Sequence, residues 1–397
     1  MGGFVTESIC EDYFTGIRLS AYGYRLVYLN EKLSAGLAAE NINSHLTQRE
    51  RWGQGTLQAF FIESNPLTIP GLSFLQRLAH LEGLVHWFMF GFRIYLLTIP
   101  LIYAFFNLLP IQASLNEWLY FFAPTYLLQL MVFSWLNYRS RSFFLNEICS
   151  LQHCFHLCLM VFKTLLNPFG KGFNVTPKGI KQNRFILHKQ LAFPLIVFWI
   201  LTASAIVKLL IGGTLELENM GTETRISLGV IWGTYNLIII TLSIFMVIDA
   251  PKADNYDWFE LRRVVKIEMQ NQTVWGITTK LSEAGAEINI TPEYPLIFKP
   301  QERVKLNCIE ENLRLQGHIK TCEYQGEKLT IQVEFEAVSL SEYRQLVELL
   351  FCRPGQWKSQ KAPGELQSLF LVLKALVRPR FLFDKKPKIQ GMKVGQF

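Results

Sequence analysis

Charge is scarce in this chain. Lys, Arg, Asp and Glu make up 18% of its 397 residues, while 50% are hydrophobic and 14% aromatic. A mean hydropathy of +0.19 is too high for an ordinary soluble protein. Nucleic acid is a poor explanation for the formal net charge of +7, because Lys and Arg gather in segments flanking apolar runs, the positive-inside pattern of a membrane protein. Cysteine offers no framework either. Seven residues without regular spacing imply no disulfide scaffold and fit a reducing cytosolic face. His153, Cys154, His156 and Cys158 are neighbours in sequence, but they fall in an amphipathic helical stretch where ordinary packing is favoured over a metal. No cleavable signal peptide is expected within Met1 to Tyr13, which has no apolar core flanked by basic residues.

Four apolar runs are present: Leu84 to Leu108, Trp118 to Leu136, Leu191 to Ile211 and Ile226 to Ile248. About 20 apolar residues suffice to cross a bilayer. Arg93 lies inside the first run, where it either faces a polar path through the bundle or snorkels to the interface. Phe143 to Leu166 has helical period but carries Asn146, Glu147, Gln152, His153, His156 and Lys163, which suits a helix lying in the membrane interface. The loops rich in Lys and Arg, 138–189 and everything after 249, are assigned to the cytoplasm and the two poor loops to the outside. Four spans then return both ends to the cytoplasm.

On either side of the spans the pattern is that of soluble domains. Asp12 to Tyr22 reads as a helix ended by Gly23, and Arg25 to Leu29 as a short strand. From about Trp258 the period changes to two. Val274–Thr279, Ala286–Ile290, Val304–Cys308, Leu313–Thr321 and Leu329–Phe335 read as strands, and five or six of these suggest a small antiparallel barrel. Ser341 to Phe351 is helical. Gly364 to Val377 is an amphipathic helix for the membrane surface or for docking on a catalytic domain. The basic tail Lys385 to Lys393 is expected to be disordered, near anionic headgroups.

Two short stretches carry candidate chemistry. In Gln48-Arg49-Glu50-Arg51-Trp52, a helix puts Gln48 one turn from both Arg51 and Trp52, so all three can look into one cavity. The indole offers a flat face for a sugar ring, and the guanidinium a fork of donors for phosphate oxygens. An interfacial helix with a snorkelling Arg and an anchoring Trp is the plain alternative. Glu11-Asp12 is either an acidic pair complementing a helix dipole or the seat of a general base.

Together these motifs resemble the processive, inverting family 2 glycosyltransferases, and bacterial cellulose synthases in particular. Gln48 to Trp52 matches the family's Gln-x-x-Arg-Trp. Cys10-Glu11-Asp12 sits where the family has Thr-Glu-Asp, with Cys10 as the departure. Phe173-Asn174-Val175-Thr176-Pro177-Lys178-Gly179 resembles its gating-loop segment. The resemblance implies UDP-glucose and a growing glucan as substrates, with Asp12, beside Glu11, as the base and Trp52 stacking the acceptor. Gln48 and Arg51 would hold acceptor and diphosphate, and Phe173, Val175, Thr176 and Lys178 would close over the donor. It implies residence in the bacterial inner membrane, contact with lipid, a periplasmic cellulose synthase subunit and Mg2+. The uridine- and metal-binding aspartates of the family lie upstream of Cys10-Glu11-Asp12. This chain is therefore expected to be inactive alone and to need its N-terminal catalytic half or a split partner.

The barrel resembles a PilZ domain, which implies cyclic di-GMP, but its motifs are degenerate. Arg262-Arg263-Val264-Val265-Lys266 puts Lys where the family has a second Arg, and Lys280-Leu281-Ser282-Glu283-Ala284-Gly285 puts Lys where it has Asp or Asn. Arg262, Arg263, Lys266, Ser282 and Gly285 are the candidate ligand residues. A guanidinium both stacks on guanine and makes bidentate contacts, which Lys cannot do.

The expected fold class is mixed. Residues 1–65 would be the C-terminal remnant of an α/β glycosyltransferase domain, and 66–250 an α-helical membrane bundle. Residues 251–355 would form a PilZ-like antiparallel β-barrel, and 356–397 the amphipathic helix and tail. A membrane-anchored cyclic di-GMP receptor, or a plain transporter or channel, are the alternatives from other classes.

Overall fold

The computed structural model describes residues 3–29, 36, 38–108, 115–170, 184–219, 228–251, 256–269, 272–291, 301–325, 328–353 and 362–383. They divide into two compact units. One is built from Met1–Leu29, Ala38–Pro251 and Ser359–Pro387, the other chiefly from Lys252–Lys358.

The first unit opens with α1 (Glu11–Ala21), whose first turn carries Glu11 and Asp12, the charge sign a helix N-terminus favours. Phe14 and Ile17 turn inward against Val5, Ala59, Leu72 and Leu84. Gly23, at φ 86°, stops the helix in a conformation that costs glycine little. Arg25 to Leu29 does not form the expected strand. Among the described residues it has no sheet partner, and a strand's amides need one.

Helix α2 (Ile42–Leu57) is capped by Asn41, which accepts a hydrogen bond from the Ser44 amide at 2.7 Å. Helix α3 (Phe74–Phe106) starts at a capping box formed by Ser73 and Gln76 and ends at Asn107 in the left-handed region. It begins ten residues before the apolar run, because the amphipathic turns from Phe74 onward continue the same helix. Arg77 fixes its start by donating to the carbonyls of Leu67 at 2.5 Å and Ile69 at 2.6 Å.

Then follow α4 (Leu115–Leu136), α5 (Phe143–Leu151), α6 (Cys154–Leu166), α7 (Lys189–Asn219) and α8 (Leu228–Met246). Four helices, Phe74–Phe106, Asn116–Leu136, Lys189–Ile211 and Leu228–Met246, are long and apolar enough to cross a membrane. The pair α5–α6 is bent by 60° at its break and so is not one straight helix. α3, α7 and α8 pack on one another around Leu97, Leu195, Ile239 and Ile240.

Two two-residue strands, β1 (Ile186–Leu187) and β2 (Ile248–Asp249), pair just before α7 and just after α8. They are too short to leave a periodic signature in the sequence. Helix α9 (Leu340–Phe351) belongs to the second unit. Helix α10 (Glu365–Val377) returns to the first unit, where the Glu365 carboxylate accepts from Ser142 Oγ at 3.0 Å and the Phe143 amide at 2.8 Å. It thereby caps α5, a favourable place for a negative charge.

The second unit is a closed antiparallel barrel in the order β3-β4-β5-β8-β7-β6, so it leaves no unpaired sheet edge. Its strands are β3 (Val264–Glu268), β4 (Thr273–Leu281), β5 (Gly285–Ile290), β6 (Arg303–Cys308), β7 (Leu313–Gln325) and β8 (Lys328–Phe335). Alternate residues such as Val265, Ile267, Ile288 and Ile331 fill the interior. Helix α9 (Leu340–Phe351), with a capping box from Ser339 and Glu342, adds Leu346, Leu349 and Leu350. The sequence strands all recur with slightly longer bounds. β3 is the addition, its short alternation lying inside the Arg-rich segment.

Candidate functional site

The two candidate stretches meet at a glycine. Gly55 sits one turn beyond Trp52 in α2, and a Cβ there would collide with Cys10 Sγ. Its absence lets the N-terminus of α1 press onto α2. Ser8 Oγ donates to the Gly55 carbonyl at 3.0 Å, the Ile9 amide donates to Gln58 Oε1 at 3.1 Å, and Cys10 Sγ lies 3.8 Å from the Trp52 carbonyl. Glu11 and Asp12, both exposed, therefore begin within two residues of a contact with the backbone of Trp52. The Asp12 carboxylate accepts its neighbour's amide, Tyr13 N, at 2.8 Å, which holds it at the helix start. Burial pushes the Cys10 thiol up to about 11, and the charges of Asp12 and Glu11 add to the rise while Arg51 opposes it.

The indole of Trp52 is 43% exposed, enough to offer one face to a ring. Arg51 lines a cavity of about 420 Å³ together with Thr47, Glu50, Gln54, His156 and Lys163. Gln48 and Trp52 do not line that cavity. At about 100° per residue, Thr47, Arg51 and Gln54 share one stripe, while Gln48 and Trp52 share the next. The half-buried Gln48 is thus placed beside Arg51 without converging on its cavity. Arg49, the remaining cation of the stretch, lies 5.4 Å from the centre of the Trp87 ring, a structural cation–π contact.

Two glutamines not singled out in the sequence complete the arrangement. Gln54 Nε2 and Gln58 Nε2 both donate to the Pro168 carbonyl, at 3.2 and 2.8 Å. They tie α2 to the chain just after α6, where the segment containing Phe173, Val175, Thr176 and Lys178 begins. Those four residues lie outside the described residues. The only sequence signal for the glutamines was their i,i+4 spacing directly after the Arg-Trp pair.

Among the described residues no three or more His, Cys, Asp or Glu side chains come together to hold a metal. No step is therefore assigned to Mg2+ through this chain's own residues. His153 packs beside His45, ring centres 5.0 Å apart, and Cys154 is buried in the helical core.

Away from this cavity, Arg93 of α3 forms a two-pronged pair with Glu147 of α5. Its Nη2 donates to Oε1 at 2.9 Å and its Nη1 to Oε2 at 3.0 Å, and Nη1 also reaches the Glu147 carbonyl at 3.1 Å.

On the barrel, Arg262 is exposed, but the other candidate cations face carboxylates. Arg263 Nε is 2.5 Å from Glu311 and 3.1 Å from Glu310, Lys266 Nζ is 2.7 Å from Glu268, and Lys280 Nζ is 3.2 Å from Glu287. Ser282 Oγ accepts from the amides of Ala284 and Gly285 at 3.2 and 3.1 Å, closing the β4–β5 turn. A Cβ at Gly285 would strike the Val333 carbonyl of β8. Ser282 and Gly285 are thus both engaged in the fold of the barrel.

Residues 1–165 match the family model described as Glycosyl transferase family group 2, and residues 254–352 match that of the PilZ domain. Residues 1–165 are thus similar to a family 2 glycosyltransferase region and residues 254–352 to a PilZ domain. Its curated relatives include the cellulose synthase catalytic subunit (UDP-forming) of Pseudomonas fluorescens, 28% identical over 92% of this chain and 49% of that protein. Cellulose synthase 2 of Novacetimonas hansenii is 26% identical over 95% of this chain and 24% of its own length. Cellulose synthase 1 catalytic subunit (UDP-forming) of Komagataeibacter xylinus is 28% identical over 75% and 40%. The chain spans about half the length of the first of these and less of the others. Among solved structures, the PilZ domain of YcgR from Escherichia coli with c-di-GMP covers 25% of this chain and 88% of its own, at 14% identity and a TM-score of 0.22.

Proposed function

We propose that this chain works in a processive, inverting glycosyltransferase that polymerises glucose from UDP-glucose into a β-glucan and passes it across the bacterial inner membrane. The observation that supports this reading is the seating of Cys10 Sγ 3.8 Å from the Trp52 backbone carbonyl, so that the residue preceding Glu11-Asp12 lies against the backbone of a residue whose side chain is exposed. In this reading Asp12 takes the proton from the acceptor hydroxyl, and Glu11 keeps the surroundings anionic. Trp52 stacks the acceptor sugar, Gln48 positions it, and Arg51 faces the leaving diphosphate from its cavity. Phe173, Val175, Thr176 and Lys178 belong to a loop that closes over the donor. Four spans place both termini in the cytoplasm, with α5 and α6 at the lipid interface and a periplasmic subunit receiving the polymer. Residues 1–65 serve the catalytic site, 66–250 the membrane path, 251–355 the sensor, and 356–397 the surface anchor.

Trp52→Ala tests the acceptor site. In membranes that polymerise radiolabelled UDP-glucose with this chain, loss of one stacking platform of about 1–3 kcal/mol, a magnitude borrowed from base–aromatic stacking, cuts polymer yield about 5- to 150-fold. Unchanged yield removes the acceptor assignment.

The PilZ domain supports regulation by cyclic di-GMP, with Arg262 as the principal guanidinium for its phosphates or guanine. Titration calorimetry on the full chain in detergent checks this. We expect binding that Arg262→Ala weakens at least about tenfold, the scale of one charge-assisted hydrogen bond. An absence of heat at high ligand concentration ends the sensor reading. The barrel also favours a second reading, a membrane-anchored cyclic di-GMP receptor acting through protein contacts, in which Asp12 and Trp52 tolerate substitution.

A further inference from the structure

Asp249 is the last residue of β2, two residues before the chain leaves the first unit at Pro251. Its two carboxylate oxygens lie 3.3 Å and 3.3 Å from the Ile42 amide, the first amide of α2. Its Oδ2 is also 2.6 Å from His188 Nε2, and the two side chains are only 16% and 13% exposed. His188 follows β1 directly and donates its own amide to the Val247 carbonyl at 3.1 Å. Three parts of the chain thus converge on one carboxylate: the beginning of α2, the segment that follows residues 171–183, and the end of the last span. Asn41 already caps α2 through the Ser44 amide. Asp249 therefore adds a second, charged cap from more than two hundred residues away.

We propose that Asp249 is a positioning residue for α2, acting through the Ile42 amide to set where Arg51 and Trp52 stand relative to α1, with His188 fixing the orientation of the carboxylate. The functional meaning of that position rests on the acceptor-site reading above, but the position itself can be measured without turnover. A cap that merely prevents fraying acts within the first turn. A positioning cap acts on the whole rod, because α2 is continuous from Ile42 to Leu57 and its far part is what Cys10 sits against. The hydrogen bond with His188 makes the seat of the cap rigid, since both partners are largely buried and β1–β2 pairing holds their backbones together.

Cys10 is a native reporter of that far part. Its thiol is held against the Trp52 carbonyl and the Gly55 backbone, so a shift of α2 uncovers it. The full chain, reconstituted in lipid nanodiscs, is treated with a maleimide, and labelling of Cys10 is followed by peptide mass mapping alongside hydrogen exchange at 42–45. Asp249→Ala should raise the Cys10 labelling rate about fivefold, the fold-change corresponding to an ordinary cap, while the isosteric Asp249→Asn, whose oxygen still accepts the Ile42 amide, should raise it by less. His188→Ala should move it in the same direction by less. Faster exchange at 42–45 with Cys10 labelling unchanged in Asp249→Ala reduces Asp249 to a local cap and overturns the proposal. No change in either readout overturns it as well. Should Trp52→Ala leave polymerisation intact, the acceptor reading falls while the labelling result stands, so the two failures are distinguishable.

Discussion

If Asp12 is the base proposed above, Asp12→Asn should lower polymer formation about 10²- to 10⁴-fold, the range of a lost general base, in a preparation that converts UDP-glucose to glucan with this chain. The carboxamide is nearly isosteric and still accepts the Tyr13 amide that holds the side chain at 2.8 Å. Helix α1 and its contact with α2 should therefore survive, and a melting curve or limited proteolysis should be unchanged. What disappears is the basic lone pair. Asp12 suits the role physically because it is exposed at the helix start, where an acceptor can reach it. Glu11→Gln in the same assay should have a smaller effect. Full polymerisation by Asp12→Asn would rule out its assignment as base, whatever the rest of the site does.

The second large effect concerns the ion pair inside the bundle. Arg93 and Glu147 are 25% and 23% exposed, and the pair is doubly hydrogen-bonded. Replacing one partner leaves the other charge with little water and no counterion. Arg93→Leu or Glu147→Leu should each destabilise the bundle by up to about 3 kcal/mol, the lower end of the cost of breaking a buried pair. The double variant should recover much of that, because no charge is stranded. Thermal unfolding in nanodiscs measures the cycle. Additive losses would show that the two charges do not depend on one another and that water satisfies each. The pair gives the Arg93 guanidinium a carboxylate partner on α5 and so fastens α5 to α3.

Much of this architecture is legible in the sequence because it rests on local periodicity. Leu191 to Ile211 and Trp118 to Leu136 are long and apolar enough to cross a membrane, and the barrel strands follow from alternation, since each must turn one face inward. Where the signal is short it fails. Val264 to Glu268 alternates over too few residues to stand out. The two-residue pair β1–β2 has no period at all. Arg25 to Leu29 has the residues of a strand but, among the described residues, no sheet to join.

The candidate site divides in the same way. Gln48, Arg51, Trp52, Glu11 and Asp12 are visible as motif residues, since a sugar and a diphosphate call for an indole, a guanidinium and carboxylates. That Cys10 rests on the Trp52 backbone is not visible, because it depends on the missing side chain of Gly55. Nor does the chain announce that Gln54 and Gln58 both reach Pro168, or that Arg263 faces Glu310 and Glu311 and not solvent.

The order of residues by itself determined the spans, the barrel and the identity of the chemical groups, because burial of apolar side chains is decided by neighbours three, four or two positions away. Only the folded chain decided which of those groups meet. Contacts such as Ile42 with Asp249, or Arg93 with Glu147, join polar atoms across long loops, and their energy depends on distances that no local pattern encodes.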